Sequence, residues 1–279
     1  KERAETGRIY IMNIDHANSH SSFKDKVSMS NLCQEITLPT VPIQDLYDEQ
    51  GEIALCILSA VNVGQLNDLN ELDNLCDLSV RALEQIIDYQ DYPVRAAEVS
   101  TKKRRSLGIG YIGLAHYLAK NGVKYNEKGA RELVDRLSEA FQYHLLRASC
   151  DLAKEKGKCE GFERTKYADG LLPIDHYKKE IDEIVPHKQR MAWESLRKDI
   201  AKYGLRHSTL SAQMPSESSS VVSNETNGIE PPRALLSIKK SKKGPLKQIV
   251  PGYPKLKNSY TLLWDMKSNE GYINIVAAM

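Results

Sequence analysis

Ile53-Ala54-Leu55-Cys56-Ile57-Leu58-Ser59 is the stretch whose reading decides the fold. It is a continuous apolar run after an acidic turn, without alternation of polar and apolar side chains. A strand covered on one face alternates; a strand buried on both faces does not, and such strands belong to parallel sheets. Downstream, Leu72, Leu75, Cys76, Leu83, Ile86 and Ile87 fall at three- and four-residue steps. That spacing predicts an amphipathic helix ending before Pro93. Leu133, Leu137, Ala140, Phe141 and Leu145 repeat the pattern in a long helix over Glu127–Lys156, closed by Gly157. Further helices are expected over 174–184 and 191–203, the second stopped by Gly204. Ser208–Gln213 reads as a short strand, Ala234–Ile238 and Leu246–Val250 as a hairpin around 241–244, and Pro254–Met266 as a last helix. Upstream, Arg8–Ile14 reads as a strand, Asp15–Ser30 as a polar loop, and residues 31–38 as extended, stopped by Pro39 and Pro42. Strands alternating with long helices indicate an α/β architecture.

Composition agrees with a globular chain. Among 279 residues, 41% are hydrophobic, and 39 Lys+Arg against 37 Asp+Glu leave a net charge of +2. These values exclude disordered and collagen-like chains, and no apolar run approaches the roughly 20 residues of a membrane-spanning helix. The length allows one large domain or two small ones. Near-zero net charge argues against broad attraction to nucleic acid. The basic clusters Lys102-Lys103-Arg104-Arg105 and Lys239, Lys240, Lys242, Lys243 have nearby acids and no interleaved aromatics, so they read as solvated turns. Five cysteines, Cys33, Cys56, Cys76, Cys150 and Cys159, form an odd set without CxxC spacing. That argues against a zinc site and against a secreted disulfide framework, and no metal ligand set is expected. Reduced thiols and a polar N-terminal stretch point to a cytoplasmic compartment. The chain opens at Lys1 rather than Met and stops at Met279 inside the apolar run Tyr272–Ala278, which suggests a piece of something larger.

Gly108-Ile109-Gly110-Tyr111-Ile112-Gly113 matches the GxGxxG dinucleotide fingerprint, which needs a preceding strand, a following helix and an acid about 20 residues on. Lys102–Ser106 is a poor strand, and Glu127 sits at a helix start. The stretch therefore reads as a glycine-rich, closely packed helix entry, with a nicotinamide dehydrogenase as the discarded alternative.

Chemistry concentrates in Ser30-Asn31-Leu32-Cys33-Gln34-Glu35. In an extended segment Asn31, Cys33 and Glu35 project to one face, about 7 Å apart in alternate steps. Cys33 is open to two readings on the residues alone: a small buried hydrophobe, or, with Glu35, a nucleophile that lacks an obvious His base, although His16 and His20 lie upstream. At Met214-Pro215-Ser216-Glu217-Ser218-Ser219-Ser220 a strand ends and hydroxyls cluster at a helix start, where free N–H groups and the dipole favour an anion. A serine-rich N-cap without ligand accounts for these residues equally well.

These stretches resemble the large (alpha) subunit of ribonucleotide reductase, close to the aerobic class I enzymes of bacteria and their phages. The resemblance runs through Gly7–Ile11, Gly51–Cys56, Tyr89–Pro93, Arg104–Gly110, Gly204–Leu210 and Asn227–Arg233 in the family's order. It implies that residues 1–279 form part of a ten-stranded α/β barrel, with helices outside mostly parallel strands and the active-site Cys on a loop entering it. It implies reduction of ribonucleoside diphosphates to 2′-deoxyribonucleoside diphosphates. Cys33 corresponds to the thiyl radical that removes the ribose 3′-hydrogen, Glu35 to the base for the 3′-hydroxyl, and Asn31 to the amide that binds the ribose hydroxyls. Cys56 corresponds to one of two reducing thiols, whose partner would precede Lys1. Cys76, Cys150 and Cys159 match no catalytic position. Pro215, Ser216, Glu217, Ser218 and Ser219 correspond to the phosphate-binding turn, with Ser218 where the family often has Thr.

The resemblance also implies what lies outside the chain. The tyrosine pair for radical entry, the redox-active Cys tail, and the N-terminal region binding ATP and dNTP effectors are all missing. No cofactor is expected on this chain: the radical would come from a di-iron/tyrosyl-type small (beta) subunit, and electrons from a thioredoxin- or glutaredoxin-type reductant. Other expected partners are a second large subunit or a complementary segment, with neither nucleic acid nor membrane. The cobalamin-dependent class shares the Asn-x-Cys-x-Glu logic and is the nearest alternative; a nucleotide-binding module without chemistry is the other. Alone, such a piece is expected to be inactive and, with open sheet edges, poorly soluble.

Overall fold

Two parallel strands form the centre of the structure, a computed structural model describing residues 1–186, 188–241 and 244–279. Strand β1 (Ile57–Asn62) lies beside β2 (Leu107–Ile112), in register from Ile57 opposite Leu107 to Asn62 opposite Ile112. The helices in chain order are α1 (Glu2–Thr6), α2 (Ile14–His20), α3 (Glu71–Tyr89), α4 (Arg95–Arg104), α5 (Leu114–Lys120), α6 (Lys128–Lys156), α7 (Pro173–His176), α8 (Trp193–Tyr203), α9 (Glu217–Val222) and α10 (Glu270–Ala278). An antiparallel hairpin, β3 (Leu236–Ser241) and β4 (Gly244–Ile249), follows α9. Lys242 and Lys243 of the second basic cluster lie outside the described residues.

The parallel pair bears out the α/β reading, although the strand starts at Ile57 rather than Ile53. Ile53 instead donates its N–H to the Ala96 carbonyl at 3.2 Å, outside the sheet. Among the described residues only β2 is a strand buried along its whole length. β1 has a single strand neighbour among the described residues, and Leu58 on it is 42% exposed, so the burial on both faces expected of this run does not hold. On the other side of β2 the 209–212 segment runs parallel, with Leu107 N–H bonded to Thr209 O at 3.0 Å and Ile109 N–H to Leu210 O at 2.8 Å. The barrel is not closed among the described residues.

The glycines of the fingerprint lie inside β2, not at a helix entry. A Cβ on Gly108 would stand 2.6 Å from Leu58 Cδ2, and one on Gly110 would overlap the Ala212 carbonyl oxygen. They let neighbouring segments approach the strand, a use of glycine unrelated to pyrophosphate.

Helices α3 and α6 cover the sheet. Leu72, Cys76, Val80, Leu83 and Ile87 form the buried stripe of α3, and Cys150 is buried in α6. Cys159 is also buried, just beyond α6. One face of α6 carries polar anchors about one helical turn apart. Asp135 and Glu139 both meet Arg190, at 2.8 and 3.0 Å. Ser138 meets the Tyr111 hydroxyl at 3.2 Å, Gln142 accepts from Ser211 at 2.7 Å, and Ser149 meets His207 at 3.0 Å.

The first basic cluster is not a solvated turn. Arg104 and Arg105 are 2% and 5% exposed. Arg104 bonds Glu52 through Nε and Asp25 through Nη1, the latter at 2.9 Å. Arg105 donates to Glu84 and Asp88, each at 2.8 Å. Buried guanidinium groups require such partners, and these come from distant segments.

Other expectations give way to local structure. Residues 8–13 form no strand: Ile9, Tyr10 and Ile11 are 48%, 55% and 67% exposed with no strand alongside, and α2 occupies the start of the expected loop. The 174–184 helix is interrupted, because Tyr177 adopts extended angles after α7 and only a 3₁₀ turn, Lys179–Glu183, follows. Pro254–Met266 folds as turns ending in a 3₁₀ turn, Leu263–Asp265. Leu256 N–H bonds Gly252 O at 3.0 Å and Ser259 N–H bonds Leu256 O at 2.9 Å, an alternation that builds no continuous helix.

Candidate active site

The Asn31–Glu35 segment is a tight turn rather than an extended strand. Gln34 N–H bonds the Asn31 carbonyl at 3.1 Å, and Gln34 sits at φ 58°. Asn31 Oδ1 accepts from Ile36 N–H at 3.4 Å, and Ser30 Oγ donates to Ile36 O at 2.7 Å. Asn and Ser side chains offer the backbone this alternative to a ladder, so the expected common face of Asn31, Cys33 and Glu35 is replaced by a loop. Asn31 and Cys33 are exposed on it, while Glu35 turns inward and is half-buried. Its Oε2 is fully buried without a hydrogen-bond partner. With Ser21, Thr209 and Ser211, Glu35 lines a polar cavity of ≈ 260 Å³.

Glu35 faces Cys56. Burial, and after it the charge of Glu35, push the Cys56 thiol up to about 12, so this sulfur is held as S–H. Cys56 precedes β1, and its Sγ would lie 2.7 Å from a Cβ on Gly108. The glycine that appeared to belong to a dinucleotide fingerprint therefore makes room for the thiol. Sequence reasoning assigned it no role; its position opposite the Cys56 strand was the available signal.

The second group lies past the C-terminal end of β2. Gln213 Nε2 donates to Tyr111 O at 2.8 Å, guiding the chain to Pro215 and α9. Ser216 is the buried N-cap residue, but its hydroxyl meets Asn227 Oδ1 at 3.3 Å instead of capping its helix. The first-turn N–H groups of α9 thus have no side-chain cap, the condition under which a helix start accepts an anion. Pro215, Glu217, Ser218 and Ser219 are exposed, and Glu217 pairs with Lys239 at 3.0 Å. Behind the turn, Asn227 Nδ2 donates to Glu230 at 3.0 Å, and burial raises the Glu230 carboxyl above its ordinary value. Asn227 and Glu230 were not singled out from the sequence. Among the described residues no hydrogen bond joins this group to the Asn31–Glu35 turn, and no group of three or more His, Cys, Asp or Glu is placed to hold a metal ion.

An open parallel α/β sheet with a Cys–Glu turn and a thiol at its strand start defines a class, and comparison with known proteins identifies it. The family model described as the ribonucleotide reductase barrel domain matches residues 1–276. The chain belongs to that family. It is 58% identical over 282 residues to the ribonucleoside-diphosphate reductase subunit alpha of Haemophilus influenzae. It is 57% identical to that of Buchnera aphidicola from Schizaphis graminum and 54% identical to the ribonucleoside-diphosphate reductase 1 subunit alpha of Escherichia coli. Each match covers 100% of this chain and 37% of the relative, so the chain spans little more than a third of their length.

Proposed function

We propose that this chain carries the radical centre of a ribonucleoside-diphosphate reductase large subunit. The observation that supports it is the turn that exposes Asn31 and Cys33 and buries the Glu35 Oε2 in a polar cavity shared with Thr209 and Ser211, near enough for its charge to reach the Cys56 thiol. Nucleoside diphosphate would lie between this turn and the α9 start, its phosphates at Pro215–Ser219. A metal-radical small subunit would supply the oxidising radical that takes the hydrogen from Cys33 Sγ. The resulting Cys33 thiyl removes the ribose 3′-hydrogen, and Glu35 takes the 3′-hydroxyl proton. Asn31 orients the ribose hydroxyls, which its exposed position allows. Cys56 and a second thiol outside this chain give up two electrons and two protons and end as a disulfide. One proton goes to the 2′-hydroxyl, which leaves as water, and the other, with the electrons, becomes the new hydrogen on C2′. Cys33 then returns its hydrogen to C3′, and the 3′-oxygen recovers its proton from Glu35. A thioredoxin-type reductant restores the dithiol. No helix among the described residues is long and apolar enough to cross a membrane, and we place the enzyme in the cytoplasm.

Deoxynucleotide formation by the chain combined with the flanking segments of its relatives and the small subunit tests the reading. Cys33→Ser, Glu35→Gln and Cys56→Ser each lose turnover, and the chain alone has none. Full activity in Cys33→Ser, or activity that needs adenosylcobalamin and no small subunit, overturns it.

A further inference from the structure

Helix α9 has little of its own to hold it. It is six residues long, Ser220 is its one buried residue, and Val222 is 89% exposed. A helix this short is unstable by itself, and it buries no apolar side chain, so its direction must be fixed from its ends. At its C-terminal end Asn224 adopts φ 50°, Asn224 N–H bonds Val221 O at 3.2 Å, and Glu225 N–H bonds Ser220 O at 2.8 Å. This pair of bonds is a Schellman closure, and it swings Glu225 back into the interior, where the side chain is 0% exposed.

The Glu225 carboxylate then takes three donors from three places. Oε1 accepts from Thr226 N–H at 2.9 Å. Oε2 accepts from Gln65 Nε2 at 3.0 Å and from His116 Nδ1 at 3.0 Å. Gln65 stands in the 3₁₀ turn directly after β1, and His116 in α5 directly after β2. One buried carboxylate therefore ties the end of α9 to the C-terminal ends of both parallel strands. Two glycines clear its place: a Cβ on Gly64 would lie 2.6 Å from Oε2, and one on Gly113 would lie 2.8 Å from Glu225 Cγ. Backbone bonds from Gly113 N–H to Thr226 O at 3.0 Å and from Gln248 Nε2 to Glu225 O at 2.9 Å complete the clamp.

We propose that Glu225 is a positioning residue for the phosphate turn: through Gln65 and His116 it sets the direction of α9, and hence of the N–H groups presented at Ser216–Ser219, relative to the catalytic sheet. The inference rests on the reading of that turn as the diphosphate site. A buried carboxylate suits the task because hydrogen bonds to a charged acceptor are short and directional, and α9 offers no apolar face that could do the same by packing. Glu225 touches neither substrate nor reacting atoms, so its loss should weaken diphosphate binding and leave the radical chemistry intact.

The test is the KM for nucleoside diphosphate against kcat in the reductase assembled from this chain, its flanking segments and the small subunit. For Glu225→Ala the KM rises about tenfold with kcat within about twofold, the scale on which small displacements of a binding group act. Glu225→Gln, which keeps the acceptor for Thr226 N–H, raises KM about threefold, being a partial rescue. Should Glu225→Ala fail to fold, Gln65→Leu and His116→Phe remove one donor each, and each raises KM about threefold. Val80→Ala is the control, because it opens a small cavity in the buried stripe of α3, lowers the unfolding temperature and leaves KM unchanged. A fall in unfolding temperature with KM unchanged in the Glu225, Gln65 and His116 variants overturns the inference, as does a loss of kcat at constant KM. A wild-type assembly without reductase activity instead overturns the reading of the site, and the inference with it.

Discussion

Replacing Glu84 with Gln removes a single charge from the most crowded ionic cluster of the core. The Glu84 side chain is 0% exposed. It accepts from Arg105 Nε at 2.8 Å, Arg206 Nε at 2.8 Å and His207 Nε2 at 3.0 Å. Burial alone would raise its carboxyl, but the bonds from His207, Arg105 and Arg206 outweigh burial and hold it at about 2 against an ordinary 4.5. That difference corresponds to about 3 kcal/mol of stability. Removing one partner of a buried pair costs about 3–5 kcal/mol in general. The lower figure fits here, because Arg105 keeps Asp88 at 2.8 Å and Arg206 keeps the Gly157 carbonyl at 3.2 Å. The cluster also offsets the left-handed conformation of Arg105, φ 47°, which ends α4 without a glycine.

The sign of the pH dependence follows. A carboxyl depressed in the folded state stabilises above its unfolded value near 4.5, and that contribution is lost as pH falls toward about 2. Burial also lowers His207, which keeps it neutral, with Nε2–H on Glu84 and Nδ1 facing Ser149. Its contribution is likewise lost toward acid, so the two effects add. Urea unfolding followed by far-ultraviolet circular dichroism should show Glu84→Gln less stable by about 3 kcal/mol at pH 7, with the gap closing below pH 4. A loss under about 1 kcal/mol at pH 7, or a gap that does not change with pH, would refute the account of the cluster.

Further outcomes are as definite. Alkylation with iodoacetamide at pH 8, mapped by mass spectrometry, should label exposed Cys33 first, since burial pushes Cys56, Cys76 and Cys159 up to about 12 and Cys150 to about 11. Glu35→Gln removes the second cause at Cys56 and should speed its labelling; an unchanged rate would mean that the carboxylate does not act on that thiol. Gly110→Ala should cost about 1–3 kcal/mol in urea unfolding, because its Cβ overlaps the Ala212 carbonyl. Glu139→Ala strips Trp193 Nε1 of its acceptor at 3.0 Å and should alter tryptophan emission and lower the midpoint together.

The long helices were legible because apolar spacing reports burial directly: the stripe Leu72, Cys76, Leu83, Ile87 needed no partner to be read. The strands were legible only in part, since Ile57-Leu58-Ser59 is a strand but leaves Leu58 42% exposed, and the fully buried Leu107–Ile112 was masked by its glycines. Arg104 and Arg105 were misread because four basic residues in a row look solvated, and what buries them lies elsewhere: Glu52 is 52 residues away, Asp25 79 and Glu84 21. The site was legible in its residue types and not in its geometry. Asn31, Cys33 and Glu35 suit a strand by alternation, but Ser30 and Asn31 spend their oxygens on Ile36 and Gln34 and close a turn. The six-residue α9 agreed with expectation because Pro and Ser at a helix start act locally, whereas its anchor Glu225 takes Gln65 and His116 from 160 and 109 residues away.

The polar anchors spaced along α6 make that helix a ruler. Asp135 and Glu139 grip Arg190, Ser138 grips β2, and Gln142 and Ser149 grip the 207–211 segment, so their contacts are met together or not at all. Inserting one residue between Ser138 and Gln142 would rotate everything beyond it by about 100° and carry Gln142 off Ser211 and Ser149 off His207 in one step. Lengthening the connection between α3 and α4, which holds no partner of these anchors, would disturb none of those grips. Length variation in this chain should therefore be refused inside α6 and accepted between α3 and α4, so that the spacing of one helix sets the alignment of the segment that leads to α9.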